Sequence, residues 1–152
     1  MTAEPDAVAG RMVDGVHIWP VRVYYEDTDA AGIVYHANYL RFAERGRTEM
    51  LRQAGLAHTG LKEDAGVVFT VRSCQVDFLA PARLDDLVEV HTGLLALGGA
   101  SMRAEQLIRR AGAILARIEL RLACVDGRGR PARLPAPLNR ALKPFFRSEP
   151  PD

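Results

Sequence analysis

The hydrophobic pattern of the chain changes its period after the first strand, and this change separates two kinds of element. Residues 18–25 alternate apolar and polar side chains, as expected for a strand. From Tyr39 to Ala54, apolar or small residues recur every three or four positions, which is the spacing of one helix face. Gly55 follows at a position where glycine commonly ends helices. The pattern therefore predicts one strand and then a long helix over residues 38–54.

A period of two returns after the helix and continues almost to the C-terminus. Ala80-Pro81-Ala82 interrupts this period, because proline has no N–H group to give to a sheet. Gly98-Gly99 and Ala111-Gly112 are typical of turns between antiparallel strands. The strands predicted in this part of the chain are residues 67–78, 87–97, 102–110 and 114–124. Short helical segments are predicted at 61–64 and 138–142.

These elements favour one architecture. A helix over residues 38–54 spans about 25 Å, and its apolar stripe can be buried only against the apolar face of the one sheet. We therefore predict an α+β domain in which a five-stranded antiparallel sheet wraps around one long helix. Residues 1–15 are small, polar and aperiodic, which predicts a disordered extension. The folded domain is predicted at 16–146, with a frayed tail at 147–152.

Composition narrows the class of protein without naming it. The chain has 152 residues, a hydrophobic content of 48% and a net charge of +1, so nothing favours binding to nucleic acid or to a membrane surface. Cys74 and Cys124 each fall on the apolar side of a predicted strand, which predicts two buried, reduced thiols. No signal peptide and no apolar run of membrane-spanning length are visible. We expect a soluble cytoplasmic protein.

The turn between the first strand and the helix concentrates polar chemistry. Asp27, Asp29 and His36 lie there, close to a helix N-terminus with its unpaired N–H groups and positive partial charge. These are the ingredients of acyl chemistry. Asp27 is interpreted as a turn acid that accepts backbone N–H groups, and Asn38 as the helix N-cap or a neighbour of it. The two acids with His36 could also hold a divalent metal, but no third acid clusters nearby, so no metal is predicted.

The segment from Val21 to Leu40 resembles the active-site segment of the hot-dog-fold acyl-CoA thioesterases. The match is to the 4-hydroxybenzoyl-CoA thioesterase branch and, within it, to the Tol–Pal-associated (YbgC-like) family. That pattern is Arg-Val, four residues, Thr-Asp, two residues, Gly-Ile-Val and then an Asn. It is met here by Arg22, Val23, Thr28, Asp29, Gly32, Ile33, Val34 and Asn38. The similarity continues through residues 45–51 and 80–86 to about Leu134.

The resemblance implies a hot-dog fold and a role for each site residue. Asp29 would act as nucleophile on the thioester carbonyl or as base for a water, and the sequence leaves both roles open. The backbone N–H of His36 would be the oxyanion donor at the helix start. Tyr25 and the imidazole of His36 would be further members of the site. The expected substrate is an acyl-CoA, and no cofactor is expected beyond the CoA that enters with it.

The resemblance also implies an assembly. The family pairs two sheets edge to edge and binds the thioester between subunits, so a homodimer or homotetramer is expected. Relatives carry arginine for the CoA phosphates at the hairpin that here reads Leu97-Gly98-Gly99-Ala100. The arginines that could substitute are Arg83, Arg103, Arg128, Arg130 and Arg133. Acyl carrier protein stays open as the acyl donor. The alternative function is a non-catalytic hot-dog module that binds acyl-CoA or acyl carrier protein as scaffold or regulator.

Overall fold

The computed structural model describes residues 9–146. The strands are β1 (Arg11–Val13), β2 (Val16–Arg22), β3 (Val68–Phe78), β4 (Leu87–Leu97), β5 (Ser101–Arg110) and β6 (Ala113–Val125). The helices are α1 (Asn38–Gln53), α2 (His58–Gly60) and α3 (Ala136–Leu142), with a π-helical turn at Leu61–Ala65 and 3-10 turns at Tyr25–Asp27 and Lys143–Phe145. Among the described residues, no helix is long and apolar enough to cross a membrane.

All six strands form one antiparallel sheet in the order β1-β2-β4-β5-β6-β3. The prediction of five strands was therefore one strand short. The additional strand, β1, lies inside the segment 1–15 that was predicted to be disordered. It forms because Asp14 and Gly15, both with positive φ, close a two-residue hairpin onto β2. Three residues are too few to show a period. The first eight residues of that segment, and the tail 147–152, lie outside the described residues.

Helix α1 packs against one face of the sheet, which we call the inner face; the opposite face is the outer face. Its predicted apolar stripe is buried, and the core that it forms has two parts. The N-terminal half of α1 contributes Phe42 and Ala43 to a cluster with β4 and β6. The C-terminal half contributes Met50 and Leu51 to a second cluster, which α3 also covers. Full burial of one such large side chain is worth about 1.5–3 kcal/mol.

Helix α1 lies close to the sheet at Gly46. A Cβ atom at this position would lie 2.5 Å from Cγ1 of Val90, so only glycine fits without displacing β4. Beside this contact the buried amide of Gln106 donates to the carbonyl of Ala43 at 2.8 Å and to the hydroxyl of Thr92 at 3.0 Å. Its oxygen accepts from Arg47 at 2.8 Å. The side chains of Gln106, Thr92 and Arg47 are therefore paired with one another, as burial requires.

The alternation of residues gave a wrong prediction for the end of one strand and for the burial of one thiol. Strand β2 ends at Arg22, and Tyr25 opens a 3-10 turn instead of completing the predicted strand. Cys124 is buried as predicted, but Cys74 is exposed. Cys74 does lie on the inner face, since it pairs with Leu120 of β6. The prediction was wrong because β3 is the last strand of the sheet, whereas α1 makes its main contacts with β2, β4 and β5.

Candidate active site

A short ladder folds the turn between β2 and α1 back on itself. The Tyr35 N–H donates to the Asp27 carbonyl, a bridge joins Thr28 to Val34, and the Asp29 N–H donates to the Ile33 carbonyl. Gly32, with φ of +76°, makes the reversal between the two arms. The ladder therefore places Asp29 and His36 on opposite arms of one small hairpin at the start of the helix.

Asp27 fixes this hairpin to the helix. Its carboxylate is buried and accepts two hydrogen bonds, from the Tyr24 N–H at 2.8 Å and from the side-chain amide of Asn38 at 2.7 Å. The interpretation of Asp27 as a turn acid that accepts a backbone N–H is confirmed. Asn38 is the first residue of α1 and makes no capping bond; the N-cap is Ala37. Asn38 is therefore the neighbour of the N-cap, one of the two predicted positions; its bond to Asp27 was not predicted, because the two residues are eleven apart in sequence.

Asp29 lies at the surface of the turn. One carboxylate oxygen, Oδ1, accepts the Ala31 N–H at 2.8 Å. The other oxygen, Oδ2, accepts no hydrogen bond from residues 9–146, so it is available to a substrate or a water. A single backbone bond fixes the orientation of the carboxylate without neutralising its charge.

The start of α1 has free backbone donors. Ala37, the N-cap residue, cannot cap the helix with its side chain. Within residues 9–146, the N–H groups of His36 and Ala37 donate to no acceptor. Because the helix dipole adds positive partial charge at this end, these amides are suited to an oxygen that becomes negative.

Aromatic rings surround the imidazole of His36. The ring of Tyr35 lies 4.6 Å from it and that of Phe78 lies 6.2 Å away, edge to face. Phe78 also contacts the buried Tyr39 at 5.6 Å. The Tyr39 hydroxyl accepts the Ala82 N–H at 2.9 Å, and burial raises the pKa of that phenol. Phe78 and Tyr35 were not identified from the sequence, and no local signal marks Phe78, because it reaches His36 from the end of β3.

Tyr25, the third predicted site residue, begins the 3-10 turn, and it is 84% exposed. Its hydroxyl makes no hydrogen bond with the described residues, while its carbonyl accepts from Thr28. A catalytic part for its side chain thus stays a prediction. No three His, Cys, Asp or Glu side chains cluster as a metal site anywhere in the described part of the chain.

A sheet around one helix, with a charged acid beside a free helix N-terminus, is the architecture of a hot-dog protein with a site for acyl chemistry. Comparison with known proteins makes this specific. The thioesterase-like superfamily model matches residues 23–142. The acyl-CoA thioesterase YbgC of Haemophilus influenzae is 41% identical over 132 residues, covering 86% of this chain and 97% of that protein. The acyl-CoA thioester hydrolase YbgC of Escherichia coli is 45% identical over 109 residues, covering 71% and 81%.

Solved structures agree with the sequence relatives. A probable thioesterase from Bartonella henselae has a TM-score of 0.76 and 38% identity, covering 79% of this chain and 99% of that one. A hypothetical protein from Thermus thermophilus has a TM-score of 0.79 and 34% identity, covering 85% and 98%. The chain belongs to the thioesterase-like superfamily, has the hot-dog fold, and is an enzyme of the thioester hydrolase class.

Proposed function

We propose that this protein hydrolyses acyl-CoA thioesters to a free acid and CoA at the hairpin before α1. One observation carries the proposal. Within residues 9–146, an oxygen of the Asp29 carboxylate accepts no hydrogen bond, and it lies on the same hairpin as the free N–H groups at the helix start. The YbgC relatives, which are named as acyl-CoA thioesterases, support acyl-CoA as the substrate. A binding module would need neither the free carboxylate nor the free donors.

The two arms of the hairpin supply different parts of the reaction: one carries Asp29 and the other carries the His36 N–H. The thioester carbonyl oxygen would accept from the His36 N–H, which stabilises the negative charge that grows on that oxygen in the transition state. In one route, Asp29 attacks the carbonyl carbon and expels the CoA thiolate, and water then hydrolyses the mixed anhydride. In the other route, Asp29 takes a proton from a water, which attacks the same carbon; the tetrahedral intermediate then expels the CoA thiolate and leaves the free acid. Both routes need an ionised Asp29, and neither needs a cofactor.

Three variants test the assignment. Asp29→Asn keeps the size of the side chain but removes its charge, so turnover should fall by roughly 10²–10⁴-fold if Asp29 is a base, and further if it is the nucleophile. His36→Ala keeps the N–H and should retain more activity than Asp29→Asn. His36→Pro deletes the N–H, and losing one oxyanion donor typically adds roughly 3–4 kcal/mol to the barrier.

Steady-state thiol release over a panel of acyl-CoAs is the measurement, with circular dichroism to check folding. Asp64→Asn, an exposed acid near the far end of α1, is the matched control and should behave like the parent. Parental turnover in Asp29→Asn would remove Asp29 from the mechanism. Equal loss in His36→Ala and His36→Pro would make the imidazole itself catalytic. No thiol release with any acyl-CoA or acyl carrier protein thioester would favour the non-catalytic module.

The free edge of β3 supports a homo-oligomer. No described strand pairs with the edge of β3 that faces away from β6. Strand β3 and the residues after it expose large apolar side chains. Those side chains are Val71, Phe78 and Leu79. Because exposed edges invite pairing, we propose that two copies join their β3 strands, as a homodimer or as part of a homotetramer, with the site at the junction. Light scattering at micromolar concentration, on protein that is active in the thiol-release assay, should find a dimer or tetramer and no monomer.

The structure favours one arginine for binding the CoA phosphates. The segment after β6 returns to the β4–β5 hairpin, where the Leu134 N–H donates to the Gly99 carbonyl at 2.8 Å. Arg133 and Arg140 line a cavity of 380 Å³ beside Gly98 and Gly99. We propose Arg133 as the substitute for a hairpin arginine. Arg133→Gln should raise KM for an acyl-CoA and leave KM for the matching acyl-pantetheine unchanged.

The cellular setting follows from the same reasoning. Cys74 and Cys124 are both free thiols, which suits the reducing cytoplasm. We propose a cytoplasmic enzyme with the Tol–Pal association that its resemblance to the YbgC-like family implies, and with acyl carrier protein as a second donor to be tested. Parallel assays with matched acyl-CoA and acyl carrier protein thioesters decide the donor.

A further inference from the structure

The outer face of the sheet, away from the helix and the proposed active site, carries a group of arginines of which, within residues 9–146, only Arg103 is paired with an acid. Arg121 of β6 is directly opposite Arg103 of β5 across the sheet. On its other side Arg121 faces Ser73 of β3. Like charges placed directly opposite each other destabilise a sheet. Some other feature should therefore compensate for this arrangement.

A β-bulge brings a third arginine to the same place. Val71 pairs with Leu122 and Ser73 with Arg121, so Arg72 between them has no partner residue on β6. Without the bulge, alternation would send the side chains of residues 72 and 73 to opposite faces; an inserted residue re-aims the chain locally. Bulges of this kind are frequent beside binding sites.

The carboxylates nearby do not neutralise this group. The next row of the outer face contains Glu119 and Glu105, which are opposite each other on β6 and β5. Glu119 is bonded to Arg103 at 2.5 Å. Arg72 and Arg121 form no ion pair or hydrogen bond with any residue of the described chain. Two guanidinium groups are therefore available for an external anion.

Both free arginines line one cavity of 440 Å³, together with the hydroxyl-bearing Ser73 and Ser101 and the ring of Pro131. A second cavity of 410 Å³ adjoins it and shares Ser73 and Arg121. Guanidinium groups bind phosphate oxygens in a bidentate manner, and serine hydroxyls donate to the remaining oxygens. The residues thus match the chemistry of a phosphate group more closely than that of a carboxylate or an apolar ligand.

We propose that Arg72 and Arg121, with Ser73 and Ser101, form a phosphate-binding site on the outer face of the sheet. The ligand is a phosphate or diphosphate group, which can belong either to the nucleotide end of the acyl-CoA or to a separate phosphorylated molecule. The site does not include the proposed catalytic residues, and Arg133 lines a different cavity, beside Gly98 and Gly99. Only its link to CoA rests on the proposed function.

Isothermal titration with 3′,5′-ADP and with inorganic pyrophosphate tests the site directly. Arg72→Gln and Arg121→Gln should each weaken binding by roughly tenfold or more, as expected for losing a charge-assisted contact. Added salt should weaken binding to the parent. Arg45→Gln, which removes one exposed positive charge from the outside of α1, is the matched control and should bind like the parent. Equal affinity in all four proteins, or no binding to the parent, would overturn the proposal.

Kinetics then identify the source of the phosphate. If it belongs to the substrate, Arg121→Gln raises KM for acyl-CoA and leaves KM for acyl-pantetheine, which has no phosphate, unchanged. If it belongs to a separate molecule, the variant loses pyrophosphate binding while both KM values stay parental. Because the titration does not use turnover, an inactive parent that still binds pyrophosphate would refute the proposed function and leave the phosphate site intact.

Discussion

The hydrogen bond between Asn38 and Asp27 makes a quantitative prediction about how the active-site turn is held. Asn38→Ala removes the donor and leaves the Asp27 carboxylate, 5% exposed, with one of its two hydrogen bonds. Hydrogen bonds to charged groups contribute about 1.5–3 kcal/mol, and the buried charge keeps its desolvation cost when one is lost. We expect the free energy of unfolding to fall by about 2 kcal/mol and Tm by roughly 4–8 °C.

A double-mutant cycle isolates this contribution. Asp27→Ala, Asn38→Ala and the double variant are unfolded in urea at neutral pH. The coupling energy should be about 1.5–3 kcal/mol, because the two side chains are in direct contact. Asn139→Ala, a half-buried asparagine of α3, controls for the helix propensity gained with alanine. Additive effects in the cycle, or a loss below about 0.5 kcal/mol for Asn38→Ala, would refute the view that this bond fixes the turn.

Three other measurements test the structure. Burial lowers the pKa of His17 and His91 below the ordinary 6.5, so the folded chain binds fewer protons than the unfolded one. The contribution of these two histidines to the free energy of unfolding is therefore at its highest above pH 6.5. It falls as the pH drops toward the pKa values of the folded state, so urea midpoints should decline between pH 7.5 and 5. His17→Leu should flatten that decline. Gly46→Ala should destabilise the fold by about 1–3 kcal/mol, and Val90→Ala in the same chain should recover part of it, as urea unfolding would show. Hydrolysis should be indifferent to EDTA; activity lost on chelation and restored by one divalent ion would instead favour a metal at Asp27, Asp29 and His36.

Sequence periodicity predicted most of the fold because long elements repeat their pattern many times. Strand β4 and the start of α1 were placed to the residue, and the hot-dog fold is confirmed. Strand β1 was missed because three residues cannot display a period. Exposure of Cys74 was missed for a different reason. Alternation tells which face of a strand is apolar, but the position of that strand in the sheet depends on pairing over long distances.

The candidate site shows the same limit. A local motif located Asp29 and His36 on one turn, because everything that forms the turn is contiguous in sequence. The contribution of Phe78 was invisible, since it reaches the turn from the end of β3, 42 residues after His36 in the sequence. The position of Asn38 beside the N-cap was predicted because it is a local property, whereas its bond to Asp27 was not, because that bond depends on how the hairpin folds back.

The alanine at the N-cap of α1 makes the first turn of this helix unfinished in the free protein. A serine or aspartate at position 37 would stabilise the helix by about 1 kcal/mol by accepting an N–H group of the first helical turn, yet it would add a polar side chain beside the His36 and Ala37 N–H groups that an incoming carbonyl needs. A bound carbonyl oxygen would instead accept from the N–H groups just before the helix, and it would place negative partial charge at this helix end only while a reacting oxygen is bound. Selection for thermal stability alone would favour a capping residue at position 37. Variants chosen for stability should therefore be sequenced at position 37 and compared with the parent in turnover.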